Sequence, residues 1–235
     1  MGPILKPLSL VALAVAGWGR ADDYSLKYTP KEGATVTYKM KVDMDITGNL
    51  ATMDATVVQK ILKVDPDGTY SVQDNTVDGK VVYSGSESAI PKNSTVHVYK
   101  PNGEVVSLTG QETDGNSLRV QRLTMLKRPD NNVKIGDTWQ IESKADTAAV
   151  PPKPSLHGTF KLDGEETVGT YKTLKIEASL SEGDIPLPGN TTLTFWISKD
   201  DGSMVKSECK YVNLTFPGAP NPMTGSISMM RIDKS

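Results

Sequence analysis

One alternation constrains this chain more than any other feature. From Val36 the apolar residues Val36, Tyr38, Met40, Val42, Met44 and Ile46 fall on every second position, with Thr37, Lys39, Lys41, Asp43 and Asp45 between them. Successive side chains of an extended strand point to opposite faces, so a strand puts all six on one side, whereas a helix would spread them round its circumference. The same period governs 170–180, where Leu174, Ile176, Ala178 and Leu180 oppose Thr173, Lys175, Glu177 and Ser179. Further strand-like runs occupy 52–64, 69–77, 80–83, 95–99, 104–108, 139–145, 158–162, 192–198, 204–216 and 226–232. Turn chemistry separates several of them, as in Asp65-Pro66-Asp67-Gly68, Asn102-Gly103 and Asp201-Gly202.

Only 116–127 departs from this pattern. Its apolar residues Leu118, Val120, Leu123, Met125 and Leu126 read as one short helix. The proline-rich pieces at 150–154, 185–188 and 216–222 read as loops, because proline cannot donate to a strand ladder. The expectation is an all-β protein: a strongly curved antiparallel sheet or an incomplete barrel, with at most one or two short helices. So many one-sided strands cannot be roofed by so little helix, so they must shelter one another or a guest molecule.

Two segments begin alike. Lys31, Gly33, Thr35, Lys41 and Asp43 correspond in order and spacing to Lys134, Gly136, Thr138, Lys144 and Asp146, and Val36 and Tyr38 keep phase with Trp139 and Ile141. This predicts two related halves, 22–115 and 131–235, joined by a connector at 116–130. Ahead of them, residues 1–21 carry Lys6, an apolar stretch from Leu8 to Gly17, then small residues. That is the pattern of a secretory signal peptide, and the stretch is about half the length of a membrane span. Cleavage after Ala21 or after Ala16 fits. The expected location is secreted or periplasmic.

Composition removes several function classes. With 26 Lys+Arg against 28 Asp+Glu there is no basic excess for nucleic acid, and removal of the leader, with Lys6 and Arg20, makes the chain more acidic still. Two histidines and one cysteine, His97, His157 and Cys209, are too few for a four-ligand zinc site and exclude an intrachain disulfide. No cofactor is expected.

Three constellations have a sharper reading beside an ordinary one. Asp43, Asp45, Thr47, Gly48, Asn49 and Asp54 have oxygens at calcium-loop spacing, but strands flank them and a hairpin turn explains them. His97 and Cys209 lie in strands, His97 expected at solvent or a polar rim and Cys209 in the core, and no Gly-x-Ser-x-Gly elbow exists, Gly85-Ser86-Glu87-Ser88 coming nearest. Arg119, Arg122, Lys127 and Arg128 form the basic cluster, read either as a solvated connector or as a contact for an anionic headgroup or wall polymer. No catalytic or metal-binding set can be assembled, so the chain is expected not to be an enzyme.

The run Val133-Lys134-Ile135-Gly136-Asp137-Thr138-Trp139 resembles a motif of secreted bacterial β proteins of unknown function, in which a Gly-Asp-Thr-Trp turn opens the second half. The later Lys199-Asp200-Asp201-Gly202 turn and the lysine-containing strand to Lys210 are similar too. That resemblance implies a fold like the outer-membrane lipoprotein carriers (LolA-like), a curved sheet whose concave apolar face holds acyl chains. The expected function is to bind or carry a hydrophobic or lipid-like ligand on the face formed by Val36, Tyr38, Met40, Val42 and Met44 with Trp139, Ile141, Leu174 and Ile176. The alternative is a structural or protein-interaction component of the envelope. Methionines 40, 44, 53, 204, 229 and 230 would either line an adaptable pocket or fill core.

Overall fold

A computed structural model describes residues 23–46, 48–110, 115–149, 153–217 and 219–232. The leader reading at 1–21 lies outside them. The strands are β1 (Thr35–Ile46), β2 (Asn49–Val64), β3 (Tyr70–Tyr83), β4 (Ser86–Ala89), β5 (Asn93–Tyr99), β6 (Val105–Gly110), β7 (Thr138–Ser143), β8 (Ser155–Val168), β9 (Tyr171–Gly183), β10 (Asn190–Ser198), β11 (Met204–Leu214) and β12 (Met223–Ile232). One helix, α1 (Gly115–Thr124), stands between β6 and β7. The fold is all-β, as the alternation requires.

All strands form a single antiparallel sheet in the order β6-β5-β3-β2-β1-β12-β11-β10-β9-β8-β7, with β4 beside β3. Each half is a meander, and the first and last strands join them along Thr37↔Ile232 to Asp45↔Thr224. The sheet does not close: β6 and β7 are its edges. At the β1–β12 seam a Cβ on Gly225 would lie 2.0 Å from the Asp43 carbonyl oxygen, so only glycine fits there.

The halves open on the same turn. In the first, Gly33 (φ 79°) donates its N–H to the Ile61 carbonyl (2.9 Å), and Ala34 donates to Lys31 (3.0 Å). In the second, Gly136 (φ 94°) donates to Leu162 (2.7 Å), and Asp137 donates to Lys134 (3.0 Å). Bulges follow at corresponding places, between Ile61 and Lys63 in one half and between Leu162 and Gly164 in the other.

Several boundaries differ from the sequence expectation. Residues 70–77 and 80–83 belong to one strand, β3, because a bulge between its pairings at Thr56/Val57 absorbs the extra residue that looked like a break. The short β4 was not expected, since its four exposed residues show no alternation. The helix ends at Thr124, not Lys127, and the Thr124 hydroxyl donates back to the Val120 carbonyl (2.8 Å).

Register carries one face across the whole sheet. Trp139, Phe160, Ala178, Leu193, Cys209, Ile227, Val42 and Met53 stand opposite one another in succession from β7 to β2. A second row runs Leu162, Ile176, Phe195, Ser207, Met229, Met40 and Ala55. Laid flat, β6 and β10 would be seven strand spacings apart, roughly 30 Å or more. Yet α1 packs against both, and both border one cavity, so the sheet curls around the helix.

The two halves bury their inner face differently. In the second, Phe160, Leu162, Leu174, Ile176, Leu180, Leu193 and Phe195 form a continuous core together with Leu123 of α1. In the first, the corresponding cluster is small, Ile61, Tyr70 and Val72, with Tyr28, Val64 and Tyr99 against it.

Candidate functional site

A cavity of about 470 Å³ occupies the space that the first half does not fill. That is within the ~300–1,000 Å³ typical of ligand pockets. Its walls are alternate residues of β1, β2, β3 and β5, completed by β6, β10, β11, β12, α1 and the chain after α1. Of the residues singled out in the sequence, Val36, Tyr38, Met40 and Val42 line it. Met44, Trp139 and Ile141 instead pack against the large core, and Leu174 and Ile176 lie within it. The expected apolar face is therefore one face of one sheet, but its second-half members meet each other and not the void. Trp139 stacks on Phe160 with ring centroids 5.5 Å apart, and its Nε1 donates to the Lys127 carbonyl (2.9 Å). Met40, Met53, Met204 and Met229 line the cavity together with Met125, while Met44 packs on the core and Met230 is exposed.

A ladder of rings crosses this wall. Tyr28 meets Tyr70 edge-on at 5.4 Å, Tyr70 meets Tyr99 at 5.4 Å, and Tyr99 stacks on His97 at 5.8 Å. Burial pushes the Tyr70 phenol up to about 12 and the Tyr99 phenol well above its usual value, so both rings stay neutral. At one end the Arg128 guanidinium sits over the Tyr28 ring and donates to the carbonyls of Leu26 and Gly202. At the other end, His97 Nε2 lies 3.3 Å from Asp74 Oδ2.

His97 and Asp74 are the chemically unusual members. Asp74 follows Tyr70 and Val72 on the inward phase of β3, and its strand neighbours are Gln59 and Thr95, which also line the cavity. Burial pushes its carboxyl from 3.8 up to about 7, against a lowering by the Gln59 side chain. Burial likewise pushes His97 from 6.5 down to about 4. His97 is thus inside, 4% exposed, where the sequence placed it at solvent or a rim. Its neighbours Val96 and Val98 are the outward residues of β5, a phase that a short strand with three adjacent apolar or aromatic candidates does not reveal. The signal available for Asp74 and Gln59 was a polar residue on the apolar phase of an otherwise regular strand.

The ordinary readings of the other constellations can be placed as well. Cys209 is buried and free, its thiol pushed up to about 12 by burial. Asp43 accepts from the Thr52 hydroxyl (3.0 Å) and pairs with Lys41 (3.4 Å), while Asp45 accepts the Gly48 N–H (2.7 Å) as a hairpin turn residue. Among the described residues no group of three or more His, Cys, Asp or Glu could hold a metal ion.

The basic cluster is not a solvated connector. Arg119 pairs with the buried Glu182 (2.7 Å), and Arg122 donates to the Pro154 carbonyl (2.9 Å) and the Ser143 hydroxyl (2.7 Å). Lys127 donates to the Gly103 carbonyl (3.2 Å), and burial pushes its ammonium down to about 8. These side chains are spent on anchoring the helix and its exit to the sheet. Gly103 belongs to the same lock: its φ is 83°, and a Cβ there would lie 2.3 Å from the Leu126 carbonyl oxygen.

No family model matches this chain, and no curated protein matches it. Among solved structures, it is similar to a "putative exported protein with YmcC-like fold" from Bacteroides fragilis, at 12% identity and a TM-score of 0.32, covering 91% of this chain and 100% of that one. It is also similar to a DUF1329 family protein from Desulfovibrio piger, at 11% identity and a TM-score of 0.25, covering 84% of each chain. No helix among the described residues is long and apolar enough to cross a membrane.

The Asp74–His97 pair makes a prediction about pH. Asp74 has a raised folded pKa, so its contribution to stability is fully present below 3.8 and is lost as pH rises through about 7. His97 has a depressed one, so its contribution is fully present above 6.5 and is lost as pH falls through about 4. Between these limits the two slopes oppose and the intact protein changes little. In Asp74→Asn the compensation is gone: its stability relative to wild type should grow between pH 4.5 and 7.5 by an amount on the order of a few kcal/mol. Urea unfolding at the two pH values measures it, and a difference independent of pH would contradict the placement of Asp74.

Proposed function

We propose that this chain is an exported, non-enzymatic carrier or binding protein for a hydrophobic or lipid-like ligand of the cell envelope, and that the ligand occupies the cavity between α1 and the first half of the sheet. The observation that carries this reading is the asymmetry of burial. One half of a single curled sheet packs into a continuous core, while the other presents the same alternating apolar face to a void of about 470 Å³. Apolar side chains that border a void lose the contacts a packed core would give them, so such a wall is best explained by an apolar guest. Flexible methionines and rigid tyrosine rings suit an elongated ligand of variable shape.

The leader pattern at 1–21 supports export. The shared opening turns and matching bulges support an origin of the two halves by duplication, followed by divergence of one into packed core and the other into a binding wall. The lipoprotein-carrier resemblance, a curved sheet with a ligand on its concave face, agrees with this arrangement.

The second reading, an envelope interaction protein, is favoured by the position of β6 at the end of the sheet order, where Val106 is half exposed. Mass spectrometry of organic extracts of the protein purified from its own envelope separates the two. A recurring lipid-like species is expected. Repeated absence of any such species, together with no binding of a hydrophobic dye, would overturn the carrier reading.

A further inference from the structure

The cavity wall mixes apolar and polar side chains, and two of its polar side chains, Asp74 and His97, are chemically unusual. Among the described residues, Asp74 Oδ1 and His97 Nδ1 are buried with no hydrogen-bond partner, and both side chains line the cavity. A buried polar atom left unpaired costs about 1–3 kcal/mol, so two adjacent ones need an explanation. A neutral His97 that keeps its proton on Nε2, toward Asp74, presents Nδ1 as an acceptor, and Asp74 Oδ1 is an acceptor when ionised. No lysine or arginine pairs with Asp74 among the described residues; its strand neighbours on this face are Gln59, Val72, Thr76 and Thr95. The Arg128 guanidinium, at the far end of the ring ladder, already gives its N–H groups to two carbonyls and its face to Tyr28.

Resting on the carrier reading above, we propose that the ligand is an amphiphile with a cationic amine head, whose N–H groups donate to Asp74 and His97 while its apolar chain lies along the methionines and tyrosines of the cavity. An ammonium has three donors and the positive charge that would partner an ionised Asp74, and a hydroxyl head would satisfy only part of this. A carboxylate head would face two acceptors and be repelled.

The test compares dodecylamine, dodecan-1-ol and laurate as competitors of the dye N-phenyl-1-naphthylamine on the mature protein at pH 8, where Asp74 is ionised. The amine is expected to bind tightest, ahead of laurate by about 10-fold or more. Asp74→Asn should weaken the amine by about 10-fold while moving the alcohol by less than about threefold. The order among the three heads is read on the unaltered protein, so it stands even if the variant fails to fold. Laurate binding tightest and weakened by Arg128→Gln would overturn the proposal in favour of an anionic ligand held at the other end. Equal binding of all three heads would overturn it while leaving the carrier reading intact. Failure of the dye and of every competitor to bind would overturn the carrier reading itself.

Discussion

Ile176→Ala should cost about 2–5 kcal/mol of stability, whereas Met40→Ala should cost about 1 kcal/mol, although the two residues share one register row of one sheet. Ile176 is fully buried inside the large core, between Leu162 and Phe195 on the neighbouring strands. Truncating it removes transfer energy and leaves a hole that the surrounding side chains cannot fill. Met40 borders an existing void, so its truncation widens a space already present and forfeits fewer contacts. Equilibrium urea unfolding of the two variants measures the contrast. Equal costs would mean that the first half is packed as densely as the second.

Arg119→Ala should be the most damaging change on the helix, at about 3–5 kcal/mol. Its guanidinium donates to both oxygens of Glu182, at 2.9 and 2.7 Å, and to the Leu187 carbonyl at 3.0 Å. Glu182 is 1% exposed at its side chain and, among the described residues, otherwise accepts only the Gly189 N–H at 2.9 Å. Removing Arg119 would leave a carboxylate buried with one donor. It would also release α1 from the β9–β10 connection, and with α1 goes the cavity's roof. Arg119→Leu combined with Glu182→Gln should recover most of the loss, because the penalty lies in the orphaned charge and not in the missing attraction. A double variant as unstable as Arg119→Ala alone would show that the helix is held chiefly by the pair's own energy.

The fold was legible because its cause is local and repeated. A strand with one buried face must alternate, and β1 and β9 do so without interruption, so the all-β class and the approximate strand positions follow from 35–46 and 171–183 alone. What alternation cannot state is which face meets which. Val42 and Trp139 lie on the same row, yet five strands, those carrying Phe160, Ala178, Leu193, Cys209 and Ile227, separate the cavity residue from the core residue. That separation depends on the β1–β12 pairing, a contact between the two ends of the chain that no local signal encodes. The site was half legible for the same reason. Its apolar wall in β1 follows from phase, whereas Asp74, His97 and Tyr99 come together only when β3 and β5 pair. The basic cluster illustrates the limit differently: four charges close in sequence look solvated until the partner carboxylate, from 63 residues away, is folded against one of them.

The first half of the sheet encloses a ligand-sized space, and filling that space with a larger side chain should weaken binding within it. Ser207 faces the cavity from β11, in the row that continues through Met229 and Met40. Titration of the wild-type protein with N-phenyl-1-naphthylamine should show saturable binding of about one molecule per chain, and Ser207→Phe should weaken it by about 10-fold or more with unfolding changed by less than about 1 kcal/mol. Unaltered dye binding in a Ser207→Phe protein that still folds would contradict the account, as would a wild-type protein that binds no dye.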